Sequence, residues 1–487
     1  MSDRPNILFI MSDDHAFHAI SAYTEMNKQR NIINRTPNID RIGKEGAIFT
    51  DCYCTNSICT PSRANILTGK YSHTTGITTL ATKMDNRTEN FAKIMQKNGY
   101  QTAMIGKWHL GFRKRNHPSG FDYWNVLPDQ GFYKNPIMIE MGRWLLVRGY
   151  TTDLITDYSL NWLENRDKNK PFLLMCHHKA PHRPWVPDDK HENMYENEQI
   201  PLPETFYDEY KNRTDAAKHA KMRVSRDFNY GDMKLRKQWN PFSFIKLPEE
   251  HQNFPSKNAF TEWKYQHYIK DYLRCIASVD DNVGRLLDYL EQEGILDNTI
   301  VIYTSDQGFF LGDHGWYDKR FMYEESLRMP FLIRYPKVIK PNTIIGNIIT
   351  NIDFAETFLD FAAIRIPENM QGYSFRPILE RNVPDDWQDA VYYRYWENGT
   401  MHKVYSHYGI RTKKFKLIYY YCDPLGQKGA RKDPHEPEWE LYDLEKDPYE
   451  MYNVYGNAQY AEIVLDLKNK LHKMQYTVGD KPYYLDI

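Results

Sequence analysis

The sequence predicts an α/β protein: a large mixed, mostly parallel sheet flanked by helices, followed by a smaller C-terminal α+β subdomain carrying an antiparallel sheet. Three observations predict it. Over residues 1–384, short apolar runs closed by turn residues alternate with helix-period segments, the pattern of strands covered on both faces. Over residues 385–487 the pattern changes to aromatic strands in close succession and one amphipathic helix. At 487 residues, the chain has room for a large α/β domain with an appendage.

The elements follow in order. Asn6-Ile7-Leu8-Phe9-Ile10-Met11 reads as a buried strand ended by Ser12-Asp13-Asp14. Thr36-Pro37 opens a helix to about residue 45, and residues 47–50 form a strand. A helix over 90–97 stops at Gly99, and a strand covers 102–105. A helix over 153–164 precedes a strand over 171–176. Residues 190–258 are irregular, charged and aromatic, which predicts an insertion near the site. A long helix over 259–293 ends at Gly294, and strands follow over 298–304 and 331–335. Strands at 391–396, 408–412 and 415–420 and a helix over 461–474 complete the C-terminal part. There is no internal repeat and no low-complexity tract.

Composition excludes several function classes. The formal net charge is −1, from 63 basic and 64 acidic residues, so nothing draws the whole chain to nucleic acid or to an anionic membrane. An anionic substrate would need a local cationic cluster. Six cysteines are too few for a disulfide-built scaffold. Cys52, Cys54 and Cys59 lie close together, but no nearby residue completes a zinc spacing. No apolar run reaches the roughly 20 residues of a membrane span. The first residues carry no signal-peptide pattern, which predicts a cytoplasmic protein as the chain stands, or a periplasmic or secreted one if a leader has been trimmed. Nothing in the sequence sets an oligomeric state.

In open α/β sheets, ligands gather at the carboxyl ends of strands. Asp13-Asp14, Lys107, His182 and Asp306 all follow predicted strands, which predicts one shared site. An Asp-Asp pair after a strand is in isolation more often a turn or cap. Two such clusters, Asp13-Asp14 and Asp306-Gln307, make a hard, all-oxygen site suited to Ca²⁺, with Mg²⁺ as a substitute.

The most informative stretch is Cys59-Thr60-Pro61-Ser62-Arg63, followed by Leu67-Thr68-Gly69. With Gly106-Lys107-Trp108-His109, Ala180-Pro181-His182-Arg183-Pro184 and Lys319 after Leu311-Gly312-Asp313-His314-Gly315, it resembles the type I sulfatases of the alkaline phosphatase superfamily. The segments 318–326, 407–412 and 439–448 extend the likeness to bacterial carbohydrate sulfatases such as N-acetylglucosamine-6-sulfatases, weakest over about 190–258.

The resemblance implies that Cys59 is oxidised to Cα-formylglycine by a formylglycine-generating or anaerobic sulfatase-maturating enzyme. The aldehyde hydrate is then the nucleophile, and a second hydroxyl later expels sulfate. It implies a calcium ion held by Asp13, Asp14, Asp306 and Gln307 and touching residue 59, with Gln307 standing where the family commonly has Asn or His. It implies that Arg63 and Lys107 orient the nucleophile, that His109 accepts a proton, that His182 protonates the leaving alcohol, and that His182 and Lys319 bind the sulfate.

The substrate implied is a sulfated saccharide, a glycosaminoglycan or algal polysaccharide fragment. Arg394 in Tyr393-Arg394-Tyr395-Trp396, together with His402 and His407, is the expected sugar-contacting set, since rings stack on pyranose faces and His or Arg bonds hydroxyls. The competing reading makes Tyr393 and Trp396 sheet core. Two alternative functions stand beside the first: a phosphonate monoester hydrolase or phosphodiesterase on the same fold, and an inactive protein that binds sulfated glycans.

Overall fold

The central sheet of this computed structural model has ten strands. Their order is Thr343–Ile345, Ala47–Phe49, Phe331–Arg334, Thr299–Ser305, Asn6–Ser12, Phe172–His177, Gln101–Lys107, Tyr123–Leu127, Ile137–Glu140 and Arg143–Leu146. The structure describes residues 4–26, 34–229, 231–234 and 253–483.

The middle of the sheet is parallel. Asn6–Ser12 is buried along its whole length because it lies between Phe172–His177 and Thr299–Ser305, both parallel to it. A strand covered on both faces needs apolar residues at every position, which explains its unbroken apolar run. Phe331–Arg334 runs antiparallel between Thr299–Ser305 and Ala47–Phe49. At the far edge, Ile137–Glu140 and Arg143–Leu146 form an antiparallel hairpin. The sheet is therefore mixed and parallel at its centre.

Alternation along the first strand builds two cores. Ile7, Phe9 and Met11 pack with Phe91, Phe354 and Phe358 on one face. Leu8 and Ile10 pack with Ile155, Tyr272 and Leu273 on the other. These partners come from the helices Phe91–Lys97 and Asp353–Phe361 on the first side, and Thr151–Asn165 and Lys257–Gln292 on the second. Truncating one such buried residue to Ala costs about 2–5 kcal/mol.

The C-terminal sheet is antiparallel, in the order Ala390–Tyr395, His407–Thr412, Phe415–Tyr420 and Glu438–Asp443. Its outer face carries Tyr392, Tyr408 and Leu417 and is covered by Leu467 and Leu471 of the helix Ala461–Thr477. Its inner face carries Val391, Tyr393, Ile418 and Tyr420, which belong to the first core of the large sheet. The Arg394 backbone N–H donates to the Thr55 carbonyl at 3.1 Å, beside the Cys59 loop.

Within 190–258, residues 230 and 235–252 lie outside the described residues. The described part holds one short helix, Asp215–His219, and packs on the segment that leads to Lys319. Tyr210 stacks on Trp316 with centroids 5.3 Å apart, and the Val224 N–H donates to the Gly315 carbonyl at 2.9 Å. Among the described residues, no helix is long and apolar enough to cross a membrane.

Candidate active site

Register brings the strand ends together. Met11 pairs with His177 and Ser12 with Ser305, so Asp13-Asp14 and Asp306-Gln307 leave adjacent strands at one level. Asp14 adopts φ 65°, a left-handed conformation uncommon outside glycine, and its N–H donates to Asp306 Oδ1 at 3.2 Å. On the next strand, Gly106 pairs with His177 and has φ 103°. A Cβ there would stand 1.9 Å from the His177 carbonyl oxygen. Only glycine fits, and Lys107 is thereby delivered to the same edge.

Cys59 is the first residue of the helix Cys59–Thr68, which is buried throughout and ends at Gly69 with φ 63°. Arg63, one turn on, reaches back across the site. Its Nε donates to Asp306 Oδ2 at 3.0 Å and its Nη1 to the Lys107 carbonyl at 2.7 Å. Its Nη2 lies 3.6 Å from Asp13 Oδ1. A thiol at a helix start is ordinarily acidified. Here burial outweighs that and pushes the Cys59 thiol up, although Lys319 opposes it. An unmodified Cys59 is thus a poor nucleophile at neutral pH.

The ammonium groups sit on the carboxylates. Lys107 Nζ bonds Asp13 Oδ2, and donates to Gln130 Oε1 at 2.6 Å. Lys319 Nζ bonds Asp14 Oδ1 and lies 3.2 Å from Cys59 Sγ. Burial works against the charged form, but Lys107 and Arg63 hold the Asp13 carboxyl well below its usual range. Burial and the Asp13 charge push the Asp306 carboxyl up to about 7.

The donor set fits a hard dication. One oxygen from each of Asp13, Asp14 and Asp306 lies within 4.8 Å of the others, and Asp13 Oδ1 and Gln307 Oε1 are buried without hydrogen-bond partners. Gln307 Nε2 lies 2.5 Å from Asp14 Oδ1, so half a turn of the amide presents its oxygen to the carboxylates. Cys59 Sγ groups with Asp13 and His182 within the same 4.8 Å limit.

Two histidines complete the cluster. His109 has φ 55°, and its Nε2 is 3.1 Å from Asp129 Oδ1. A carboxylate accepts, so Nε2 carries the hydrogen and the buried, unpartnered Nδ1 keeps its lone pair. Burial and Lys107 push His109 down to about 3. His182 Nε2 is 3.8 Å from Asp14 Oδ2, and its Nδ1 donates to the Arg183 carbonyl at 2.8 Å. Burial and Lys107 also hold His182 well below its ordinary value.

Lys319 is aimed by its neighbours. Asp318 and Arg320 have φ 86° and 96°. Asp318 bonds Arg183 and lies 3.3 Å from His402 Nε2, while Arg320 pairs with Glu397 at 3.2 Å. His402 therefore stands in the wall behind Lys319. Sequence reasoning missed Asp129, Gln130, Arg183 and Glu397 as partners. Asp129, Gln130 and Glu397 lie in none of the quoted motifs, and Arg183 stands in one that does not reveal its partner, because each works through a contact distant in sequence.

The sugar-contacting expectation needs correction for all three residues. His402 is buried, with Nδ1 on the Lys221 carbonyl at 3.0 Å and Nε2 2.7 Å from Arg183 Nη2; Arg394 and His407 are held in the C-terminal sheet. Arg394 is buried, pairs with Asp480 at 2.8 Å and lies over the Trp396 ring at 3.8 Å. His407 is fully buried, donates from Nδ1 to the Tyr405 carbonyl at 2.7 Å and stacks on Tyr393. Both belong to the packing of the C-terminal sheet. An alternating strand with one face in each core buries polar residues too, when rings and carboxylates partner them.

A cluster of three cations and three carboxylates at the carboxyl edge of a mixed α/β sheet, built on a buried Cys-x-Pro-Ser-Arg helix, matches one group of proteins. Residues 5–364 match the sulfatase family model, and residues 312–477 match the N-sulphoglucosamine sulphohydrolase C-terminal model. The chain belongs to the sulfatase family and is a sulfuric ester hydrolase. It is 44% identical to an N-acetylglucosamine-6-O-sulfatase of Bacteroides thetaiotaomicron, over 98% of this chain and 87% of that protein. It is 27% identical to an N-acetylglucosamine-6-sulfatase of Capra hircus, over 82% of this chain and 67% of that protein. A solved structure in complex with its substrate D-glucosamine-2-N,6-O-disulfate superposes with TM-score 0.90 at 43% identity, covering 98% of both chains.

Proposed function

We propose that this sulfatase removes O-sulfate from a carbohydrate, with a glucosamine 6-O-sulfate unit of a glycosaminoglycan fragment as its substrate class. The charge balance of the site carries the reading. Lys107, Lys319 and Arg63 face Asp13, Asp14 and Asp306, three cations against three carboxylates. That cluster is neutral alone, and a sulfate ester needs a surplus of positive charge. A Ca²⁺ ion held by Asp13, Asp14, Asp306 and Gln307 fits this deficit. Likeness to the glucosamine 6-O-sulfatase and to the disulfate complex supports the sugar.

Cα-formylglycine formed from Cys59 by a maturating enzyme would supply an aldehyde-hydrate nucleophile, and Ca²⁺ would neutralise sulfate charge. The chain's own residues do the rest. Lys319 and Lys107 draw the equatorial sulfate oxygens between them. Arg63 braces Asp306 against the Lys107 carbonyl and fixes the floor of the site. His109 takes up a proton at Nδ1 as sulfate is released, with Asp129 stabilising the imidazolium. Bound sulfate offsets the Lys107 charge, so His182, whose Nδ1 hydrogen is held by the Arg183 carbonyl, takes up a solvent proton at Nε2 and gives it to the departing sugar oxygen. His402 backs Lys319 through Asp318 from within the wall.

The test is direct. Protein made with a maturating enzyme should carry a peptide at residue 59 about 18 Da lighter than the thiol form, the difference between thiol and aldehyde. It should release sulfate from glucosamine 6-sulfate, and EDTA should stop it until Ca²⁺ is restored. Cys59→Ala should fold and show no turnover. Full activity in Cys59→Ala sinks the mechanism. Faster turnover of an aryl phosphonate than of any sulfate ester favours the phosphonate hydrolase reading.

A further inference from the structure

A second cluster of metal-binding side chains lies outside the active site. Asp215, His435 and Glu438 each offer a ligand atom, and these atoms lie within 4.8 Å of one another. His435 Nε2 is 3.1 Å from Glu438 Oε2. His219, one turn beyond Asp215 on the helix Asp215–His219, has its ring centroid 5.5 Å from that of His435. All four side chains remain partly or fully open to solvent, so an ion can reach them.

The groups are held as ligands are held. The His435 ring stacks on Tyr405, centroids 4.8 Å apart and planes 5° from parallel. His219 Nδ1 is 3.5 Å from the Tyr405 hydroxyl, which leaves Nε2 available. Glu438 accepts from the Asp215 and Ala216 backbone N–H groups at 3.2 and 3.3 Å, which locks its carboxylate to the start of the helix. Such outer contacts orient metal ligands. Ligand atoms around a tetrahedral zinc stand roughly 3.3 Å apart, so Asp215, His435 and Glu438 close by side-chain movement alone, and the exposed His219 ring swings in by rotation of its side chain to complete the set. The competitor is Lys218, 3.0 Å from Asp215 Oδ1, an exposed partner that a dication displaces readily.

We propose that Asp215, His219, His435 and Glu438 form a zinc-type transition-metal site, separate from the catalytic cluster. Two imidazoles and two carboxylates select zinc, nickel or copper over calcium or magnesium. The ligands come from two distant stretches, the insertion and the segment that opens the last strand of the C-terminal sheet. An ion there fastens one to the other. The same junction carries the Lys221 N–H donating to the His402 carbonyl at 2.7 Å, and His402 Nδ1 donating to the Lys221 carbonyl at 3.0 Å. His402 in turn lies 3.3 Å from Asp318, beside Lys319. The site therefore braces the pocket wall from outside without touching substrate.

Zinc alone serves as the probe. The full chain is stripped with chelator, returned to excess Ca²⁺ and titrated with Zn²⁺ by calorimetry. Wild type should bind one more zinc than His435→Gln, or bind it about tenfold or more tightly. Asp306→Asn, altered only in the catalytic cluster, should keep that zinc. Zinc should raise Tm in wild type and not in His435→Gln. X-ray absorption should show nitrogen and oxygen ligands with no sulfur. Aryl-sulfate turnover of His435→Gln should stay within about twofold of wild type, since no catalytic contact is lost. If His435→Gln fails to fold, the double variant Asp215→Asn/His219→Gln takes its place. Equal zinc binding in wild type and either variant, no zinc binding in wild type, or zinc lost in Asp306→Asn instead would each overturn the assignment.

Discussion

His182 donates through Nδ1 to the Arg183 carbonyl at 2.8 Å, which leaves Nε2 as the nitrogen for the proposed proton transfer. A sugar alcohol needs a proton to leave, whereas an activated aryl oxygen needs little. His182→Ala should lower turnover of a sugar sulfate by about 10²–10⁴-fold and that of an activated aryl sulfate far less. Equal losses on both would mean that His182 only holds sulfate. His407 makes the opposite case, a histidine that works by staying neutral. Burial pushes it from 6.5 down to about 4. The unfolded chain protonates it near 6.5 and the folded one does not, so its contribution is complete above 6.5 and is lost as pH falls toward 4. The loss amounts to as much as about 3 kcal/mol over that window. His407→Phe should remove this component, so urea unfolding of the variant should depend less on pH between 6.5 and 4 than that of wild type. Identical pH slopes would rule it out. The side chains gathered at the strand ends were legible in the sequence because they lie in short motifs or directly after strands, where chemistry restricts the residue types. It could not show the role of His407, because nothing in a His-Tyr pair tells a core ring from a sugar platform.

Strands fix where the chemistry stands. Gly106 precedes Lys107 with φ 103°, and a Cβ would meet the His177 carbonyl oxygen at 1.9 Å. Gly106→Ala should cost at least about 2 kcal/mol from the left-handed conformation and the clash together. It should also cut kcat, because Lys107 moves with its strand. A urea midpoint and turnover both unchanged would refute this. The central strands were legible because burial on both faces leaves a continuous apolar run. Tyr123–Leu127 and Arg143–Leu146 were not. The first mixes Asn125 into a buried strand, and the second is largely exposed at the sheet edge, so neither carries such a run. Glu438–Asp443 was seen only as a motif, since Glu438 and Glu440 break its apolar pattern. Glu440 is satisfied by Thr214, Tyr323 and Tyr420, residues remote in the chain.

At the scale of the whole molecule, a buried knot of charge ties the C-terminal sheet to the main one. Glu324 meets Lys416 at 2.9 Å, Arg411 at 3.2 Å and Arg328 at 3.4 Å. Glu324→Ala would leave Lys416 to Glu450 and both Arg411 and Arg328 to Asp51 alone, and should cost about 1.5–3 kcal/mol, the loss of charged hydrogen bonds. Unfolding should remain a single transition, since Val391, Tyr393 and Ile418 lie in the core of the large sheet. A separate early transition of the C-terminal part in wild type would contradict that. The change of pattern near residue 385 was legible in the sequence, but this sharing of a core was not, because composition does not say which sheet face a ring enters. Burial of Cys59, finally, sets a clock. The thiol is buried against Lys319 and Gln307, which leave the ribosome long after it does. At about 5–20 residues per second, that delay lasts roughly 13–50 s. An enzyme that must grip Cys59 as an extended peptide has that interval, and afterwards the folded chain itself is the barrier.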